Sequence, residues 1–198
     1  QKEAAGIIVK SKDKIPNEKS TPFIIQVNDT LKALQDLAEF HRSQFDVSIL
    51  AITGTNGKST TKEMTASVAA SQFNVLKTEG NKNNHIGLPL TLFNLNAEHE
   101  VSVLEMGMSG KGEIKRLAEI AKPNVGIITN ISEGHLENLP TIKDVQEAKG
   151  ELFESLNQDD TAIVNADDPL VLELSRSLRS NIVTYGLKNS ADIQADNI

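Results

Sequence analysis

The sequence has no cysteine among its 198 residues, which excludes a disulfide framework and any thiolate metal site. A metal, if one is held, must sit on oxygen and nitrogen donors. No window approaches the roughly 18 consecutive apolar residues that a membrane-spanning helix needs. The start lacks the basic flank and apolar run of a signal peptide, so a cytoplasmic location without stable membrane insertion is expected. Basic charge is also in deficit: 20 Lys and Arg stand against 27 Asp and Glu, a net charge of -7. That balance argues against nucleic acid as a partner, because neutralising its phosphates takes a basic patch. Internal repeats and low-complexity tracts are absent too. Any phosphate the chain binds is bound locally.

What is present is an ordinary globular mixture, 38% hydrophobic and 24% charged, long enough for one α/β domain with a full core and something smaller beside it. The chain begins with Gln1 and stops at ADIQADNI, which suggests a piece of a longer protein. Residues 1–22 hold one short apolar run, Ala4 to Val9, and then the polar segment KSKDKIPNEKSTP, which has no period and reads as a surface loop. Phe23 to Val27 is a strand candidate. Asn28 or Asp29 then caps a helix in which Leu31, Leu34, Leu37 and Ala38 follow helical spacing to about His41.

From Asp46 onward strands and helices alternate. Strands are expected to Thr53 and over Asn74–Lys77, Val101–Glu105, Val125–Thr129, Ala162–Val164 and Ile182–Thr184. Helices are expected over Lys58–Ser71, Leu88–Phe93, Glu113–Ala121, Ile142–Leu156 and Leu170–Leu178. Strands apolar on both faces, separated by helices, predict a doubly wound, mostly parallel sheet covered on both sides. Right-handed crossovers place the carboxyl ends of such strands at one edge, where ligands bind.

One strand ends in ILAITGTNGKSTTKEM. Gly54 and Gly57 let the backbone turn so that successive N–H groups point at an anion, and the helix from Lys58 adds its positive dipole end. Gly54, Thr55, Asn56, Gly57, Lys58, Ser59 and Thr60 therefore form a candidate phosphate-binding loop. Lys58 is expected at the outer phosphates and the Ser59 hydroxyl at a magnesium ion. The usual spacing asks for glycine where Ile52 stands, so the loop is a shortened variant of the P-loop.

Three further strand ends carry polar groups. Glu105 closes the strand VSVLE, where a buried carboxylate needs a cation, and a magnesium shared with Ser59 would supply one. His135 lies in the loop beyond NVGIITN, at the ligand edge. The segment TEGNKNNHIGLP concentrates Asn81, Asn83, Asn84 and His85, a candidate substrate contact. Lys149 is different in kind: it falls inside the apolar stripe of Ile142, Val145, Leu152, Phe153 and Leu156, away from the polar face of Lys143, Glu147, Glu151 and Glu154. A lysine directed at the core must be paired, neutralised or chemically altered.

Taken in order, TGTNGKST, EGNKNNHIGLPLTL, LEMGMSGKGEI, TNISEGHL, EAKGELFESL and VNADDP resemble the Mur ligases of peptidoglycan synthesis. The asparagine-rich and LEMGMSGKGEI segments resemble the members that add D-alanyl-D-alanine to the UDP-N-acetylmuramoyl tripeptide. The resemblance implies ATP-dependent amide ligation through an acyl phosphate, with two magnesium ions and only small-molecule substrates. By that resemblance Lys58, His135 and Lys149 are catalytic, Ser59 and Glu105 hold the nucleotide magnesium, and His135 and Lys149 serve a second ion, Lys149 as a carbamate. It also implies three domains. Residues 1–45 would be the end of an N-terminal UDP-substrate domain with its connecting helix, and 46–198 a central ATP-binding domain incomplete at its C-terminal end. The C-terminal ligase domain would lie outside the chain, and the isolated 198 residues would have no turnover. Sequence leaves two other readings open, a folylpolyglutamate-type ligase of the same superfamily and a nucleotide-binding module without chemistry.

Overall fold

A computed structural model describes residues 6–10, 23–134 and 137–195. The first two strands, β1 (Gly6–Val9) and β2 (Phe23–Gln26), pair in parallel as a small sheet of their own. The Ala4–Val9 run therefore contains a strand that its composition alone did not predict. Helix α1 (Thr30–Arg42) follows, and Asp29 is its cap: the carboxylate accepts the N–H groups of Leu31 at 2.8 Å and Lys32 at 2.9 Å.

The main sheet has seven strands, all parallel: β3 (Ser48–Thr53), β4 (Val75–Lys77), β5 (Val101–Glu105), β6 (Val125–Ile128), β7 (Thr161–Asn165), β8 (Asn181–Gly186) and β9 (Ile193–Gln194). Their order is β4-β5-β3-β6-β7-β8-β9. The chain runs outward from β3 to β4, returns through β5, and then crosses to β6 on the other side. The end of β3 thus sits at the point where the winding reverses, the place such sheets use for ligands. The two-residue β9 follows a bend and is too short to show a period of 2.

The crossovers are α2 (Lys58–Ala69), α3 (Gly87–Leu92), α4 (Glu113–Ala121), α5 (Ile142–Glu154) and α6 (Pro169–Ser175). The last ends three residues short of its predicted limit, where Ser175 turns its hydroxyl back to the Leu172 carbonyl at 2.8 Å. α5 opens on a capping box, with Thr141 and Asp144 each accepting the other's backbone N–H. α4 borrows its cap from α5: the Glu151 carboxylate accepts the N–H groups of Gly112 at 2.6 Å and Lys115 at 2.9 Å.

Strand period 2 divides the buried side chains into two unequal layers. Ile49, Ala51, Leu104, Ile128, Ala162 and Val164 face a large core completed by residues of α1, α3, α4, α5 and α6. Ile52, Val103 and Ile127 face the other way, where Ala66 of α2 is the one buried apolar helical residue among those described. Helices lie on both faces as expected, but one face is covered far more heavily.

Candidate active site

The loop after β3 owes its shape to two glycines with different reasons for being glycine. Gly57, at φ 79°, is the N-cap of α2 and has open space around it, so conformation alone calls for it. Gly54, at φ 149°, is hemmed in: a Cβ there would stand 1.9 Å from Thr129 Oγ1. Because Gly57 brings no side chain to cap α2, and no acidic residue occupies its first turn, the N–H groups at this helix start remain available to an anion.

The loop is clasped by the end of β6. Thr55 N–H donates to the Asn130 carbonyl at 2.9 Å and Asn56 N–H to Asn130 Oδ1 at 3.0 Å. Asn130 Nδ2 and Thr129 Oγ1 both donate to the Asn56 carbonyl, at 2.9 and 2.6 Å. Asn165 at the end of β7 holds the Thr129 carbonyl, and Asp168 accepts the Ile131 N–H. The polar tail of each strand therefore braces its neighbour's. Lys58 lies over its own loop, donating to the Gly54 carbonyl at 2.8 Å and the Thr55 carbonyl at 3.1 Å.

Glu105 is 2% exposed and both its oxygens are engaged. Ser59 Oγ donates to one at 2.8 Å and Asn83 Nδ2 to the other at 2.7 Å. Asn83 thus belongs to the site through Glu105, and the close approach of its side chain leaves about 3 Å for a Cβ on Gly107. Gly54, Lys58, Asn83, Asn84, His85, Met108, Glu113 and Lys149 line one cavity of about 320 Å³. Larger hollows lie elsewhere, about 730 Å³ at the opposite edge of the sheet and about 700 Å³ beside β4, away from the converging polar groups.

The sequence-selected residues divide. Lys58, Asn83, Asn84, His85 and Lys149 meet at the cavity, and the Ser59–Glu105 pair is joined to it through Asn83. Asn84 also has a local task, since its Oδ1 accepts the N–H groups of Ile86 and Gly87 at the start of α3. Asn81 is exposed and does not line the cavity; its carbonyl accepts the Asn83 N–H at 2.8 Å. His135 lies outside the described residues. Sequence reasoning did not single out Thr129, Asn165, Asp168, Met108 or Glu113; of these, only the polar residues at or just past the ends of β6 and β7 carried a signal, as further strand ends at the ligand edge.

Lys149 is 1% exposed. Among the described residues it makes no hydrogen bond or ion pair, and burial, assisted by the nearby Lys58 ammonium, lowers its pKa to about 8. A buried amine so poised is part base and part cation near neutral pH, which suits chemistry more than packing. The oxygen pair of Ser59 and Glu105 fits magnesium, a hard cation that takes few protein ligands and keeps its waters and a nucleotide's phosphates. Among the described residues there is no cluster of three or more His, Asp or Glu able to hold a metal unaided.

Several known proteins resemble this chain in sequence and fold. The UDP-N-acetylmuramoyl-tripeptide--D-alanyl-D-alanine ligase of Bacillus subtilis is 41% identical over 184 residues, 93% of this chain and 40% of the relative. That of Synechocystis is 42% identical over 163 residues, 82% and 36%. The crystal structure of MurF ligase from Thermotoga maritima in complex with ADP superposes with a TM-score of 0.86 at 32% identity, over 98% of this chain and 44% of that one. The chain thus spans about two fifths of the length of these relatives. Residues 52–198 match the model of the Mur ligase middle domain, and the chain belongs to the Mur ligase family.

Proposed function

We propose that this protein is an ATP-dependent amide ligase that adds D-alanyl-D-alanine to UDP-N-acetylmuramoyl tripeptide in peptidoglycan synthesis. The observation that carries the reading is the meeting of Lys58, Asn83 and the buried Lys149 at one cavity, beside the Ser59–Glu105 pair. The names of the relatives support the substrate pair, and the ADP in the Thermotoga maritima relative supports ATP as the driver.

In the reaction the tripeptide carboxylate takes the γ-phosphoryl group of ATP, and the dipeptide amine displaces phosphate from the resulting acyl phosphate. Two anions must meet, so the site has to supply positive charge and fixed donors. In the loop from Gly54 to Thr60, the N–H groups at the start of α2, Gly57 to Thr60, cradle phosphate oxygens. The Lys58 ammonium leaves the loop carbonyls for the outer phosphates. Ser59 and Glu105 hold a magnesium ion, which when bound offsets phosphate charge, and Asn83 keeps the carboxylate turned toward Ser59. His135 and Lys149 serve a second ion, with Lys149 as a carbamate. The lowered pKa of Lys149 favours this, because only the neutral amine combines with carbon dioxide. Asn84 and His85, which line the cavity, face the peptide substrate.

The separate β1–β2 sheet supports assigning residues 1–45 to a substrate domain and its connecting helix, and 46–198 to the central ATP-binding domain. In that reading the 198 residues alone have no turnover, and ligation by them would overturn it. The deciding experiment measures phosphate release from ATP by the full-length protein with the UDP-linked tripeptide, comparing D-alanyl-D-alanine, single amino acids and no acceptor. Release that requires the dipeptide is the expected result. Release with glutamate instead would point to a folylpolyglutamate-type ligase, and no release with any acceptor to a binding module.

A further inference from the structure

A second lysine is buried beside the site. Lys62, one turn after Lys58 on α2, is 2% exposed. Its ammonium donates to the Thr78 carbonyl at 2.8 Å and pairs with Glu63 at 3.0 Å. Thr78, itself fully buried, stands just past the edge strand β4, and its Oγ1 accepts the backbone N–H of Glu105 at 3.0 Å. The contacts close a ring: Lys62 to Thr78, Thr78 to Glu105, Glu105 to Ser59, and Ser59 back to Lys62 along three residues of α2.

An ammonium in this place is expensive to bury, and an apolar side chain of similar length would fill the space at lower cost. Packing alone therefore does not account for it. β4 is only three residues long and has a single neighbour, so the strand offers little to fix the segment after it. That segment runs from Thr78 to Asn83, whose side chain orients Glu105. Lys62 ties its first residue to the helix that carries Ser59.

We infer that Lys62 is a positioning residue, which through Thr78 sets the Glu105 carboxylate against Ser59 and so tunes magnesium-dependent nucleotide binding. The inference rests on the role proposed above for Ser59 and Glu105, but its structural half can be tested without that role. In the full-length protein, free of ligands, the Glu105 amide is expected to exchange hydrogen slowly. Lys62→Met should speed exchange at Glu105 and Thr78 at least tenfold while leaving the amides of β3 and β6 protected. It should also raise the magnesium concentration for half-maximal ADP binding by about 10- to 100-fold, the range seen when a group that orients a metal ligand is lost. Binding of ADP without magnesium should stay within about twofold, since no phosphate cradle is touched.

Thr78→Val, which keeps the carbonyl and deletes the hydroxyl, should reproduce the magnesium effect if Lys62→Met does not fold, and Lys62→Arg should restore part of it. Unchanged exchange at Glu105, or a loss of protection spread evenly over the sheet, would overturn the inference. Faster exchange at Glu105 with no change in magnesium dependence would leave the ring standing and overturn the role given to Ser59 and Glu105.

Discussion

Thr129 occupies the space that any side chain at Gly54 would need, its hydroxyl oxygen standing 1.9 Å from the position of a Cβ there. The same hydroxyl holds the Asn56 carbonyl at 2.6 Å, so it cannot yield without loosening the loop. Gly54→Ala is expected to destabilise the fold by about 1–3 kcal/mol, through overpacking and a backbone angle that L residues avoid. Urea denaturation measures the loss. Thr129→Ala in the same background should return only part of it, because the Thr129 Cβ at 3.1 Å is also close.

Lys58 and Ser59 should separate in a binding experiment. Lys58→Met removes a charge that needs no metal, so ADP affinity should fall by about tenfold or more with and without magnesium. Ser59→Ala should weaken only the magnesium-dependent part. Isothermal titration with magnesium present or chelated distinguishes the two, and equal losses from Ser59→Ala in both conditions would contradict the role given to it.

Lys149 makes stability depend on pH in a defined direction. Its pKa in the folded chain is about 8, against an ordinary value of 10.5. Below about pH 8 both folded and unfolded chains carry the proton, and the buried charge costs its full amount. Between the two values the unfolded chain binds more protons, so stability rises with pH and levels off above 10.5. The span corresponds to about 3 kcal/mol. Lys149→Met should therefore be more stable than the parent at pH 7, with the gap closing as pH rises. Denaturation in buffer freed of carbon dioxide tests this, and a gap that stays constant would rule the explanation out.

At Asp144 stability also rises with pH, but because the fold favours the charged form instead of penalising it. The Lys111 ammonium, with help from the Thr141 hydroxyl, lowers its pKa from 3.8 to about 2. Its contribution is complete above about pH 4 and is lost as pH falls toward 2. Asp144→Asn should flatten that part of the acid unfolding curve, followed by circular dichroism. Thr141→Ala, which breaks the other half of the capping box, should cost about 1 kcal/mol at neutral pH.

Much of the fold was legible because its strands are apolar and end abruptly. Thr53, Glu105 and Asn130 each mark the step from buried strand to polar edge, and Lys149 stood out as a cation on an apolar stripe. Lys62 gave no such signal. α2 buries only that lysine and Ala66, so no stripe exists for Lys62 to interrupt, and neighbouring Glu63 makes it look like a surface pair. Asn81 and Asn83 were indistinguishable in sequence for a related reason: which amide turns inward depends on β5 ending beside this loop. β9 was missed because two residues are too few to carry a period, and β1 because periodicity does not tell a short apolar run in a strand from one in a helix.

The clasp between Asn56 and Asn130 joins residues 74 positions apart. On a ribosome adding about 5–20 residues per second, the phosphate loop waits about 4–15 s for its partner to be made. Both neighbours of β3, first β5 and then β6, are also synthesised after it. The strand that founds the site therefore emerges with two open edges and apolar side chains on both faces, a segment for chaperones to shield until translation has passed β6.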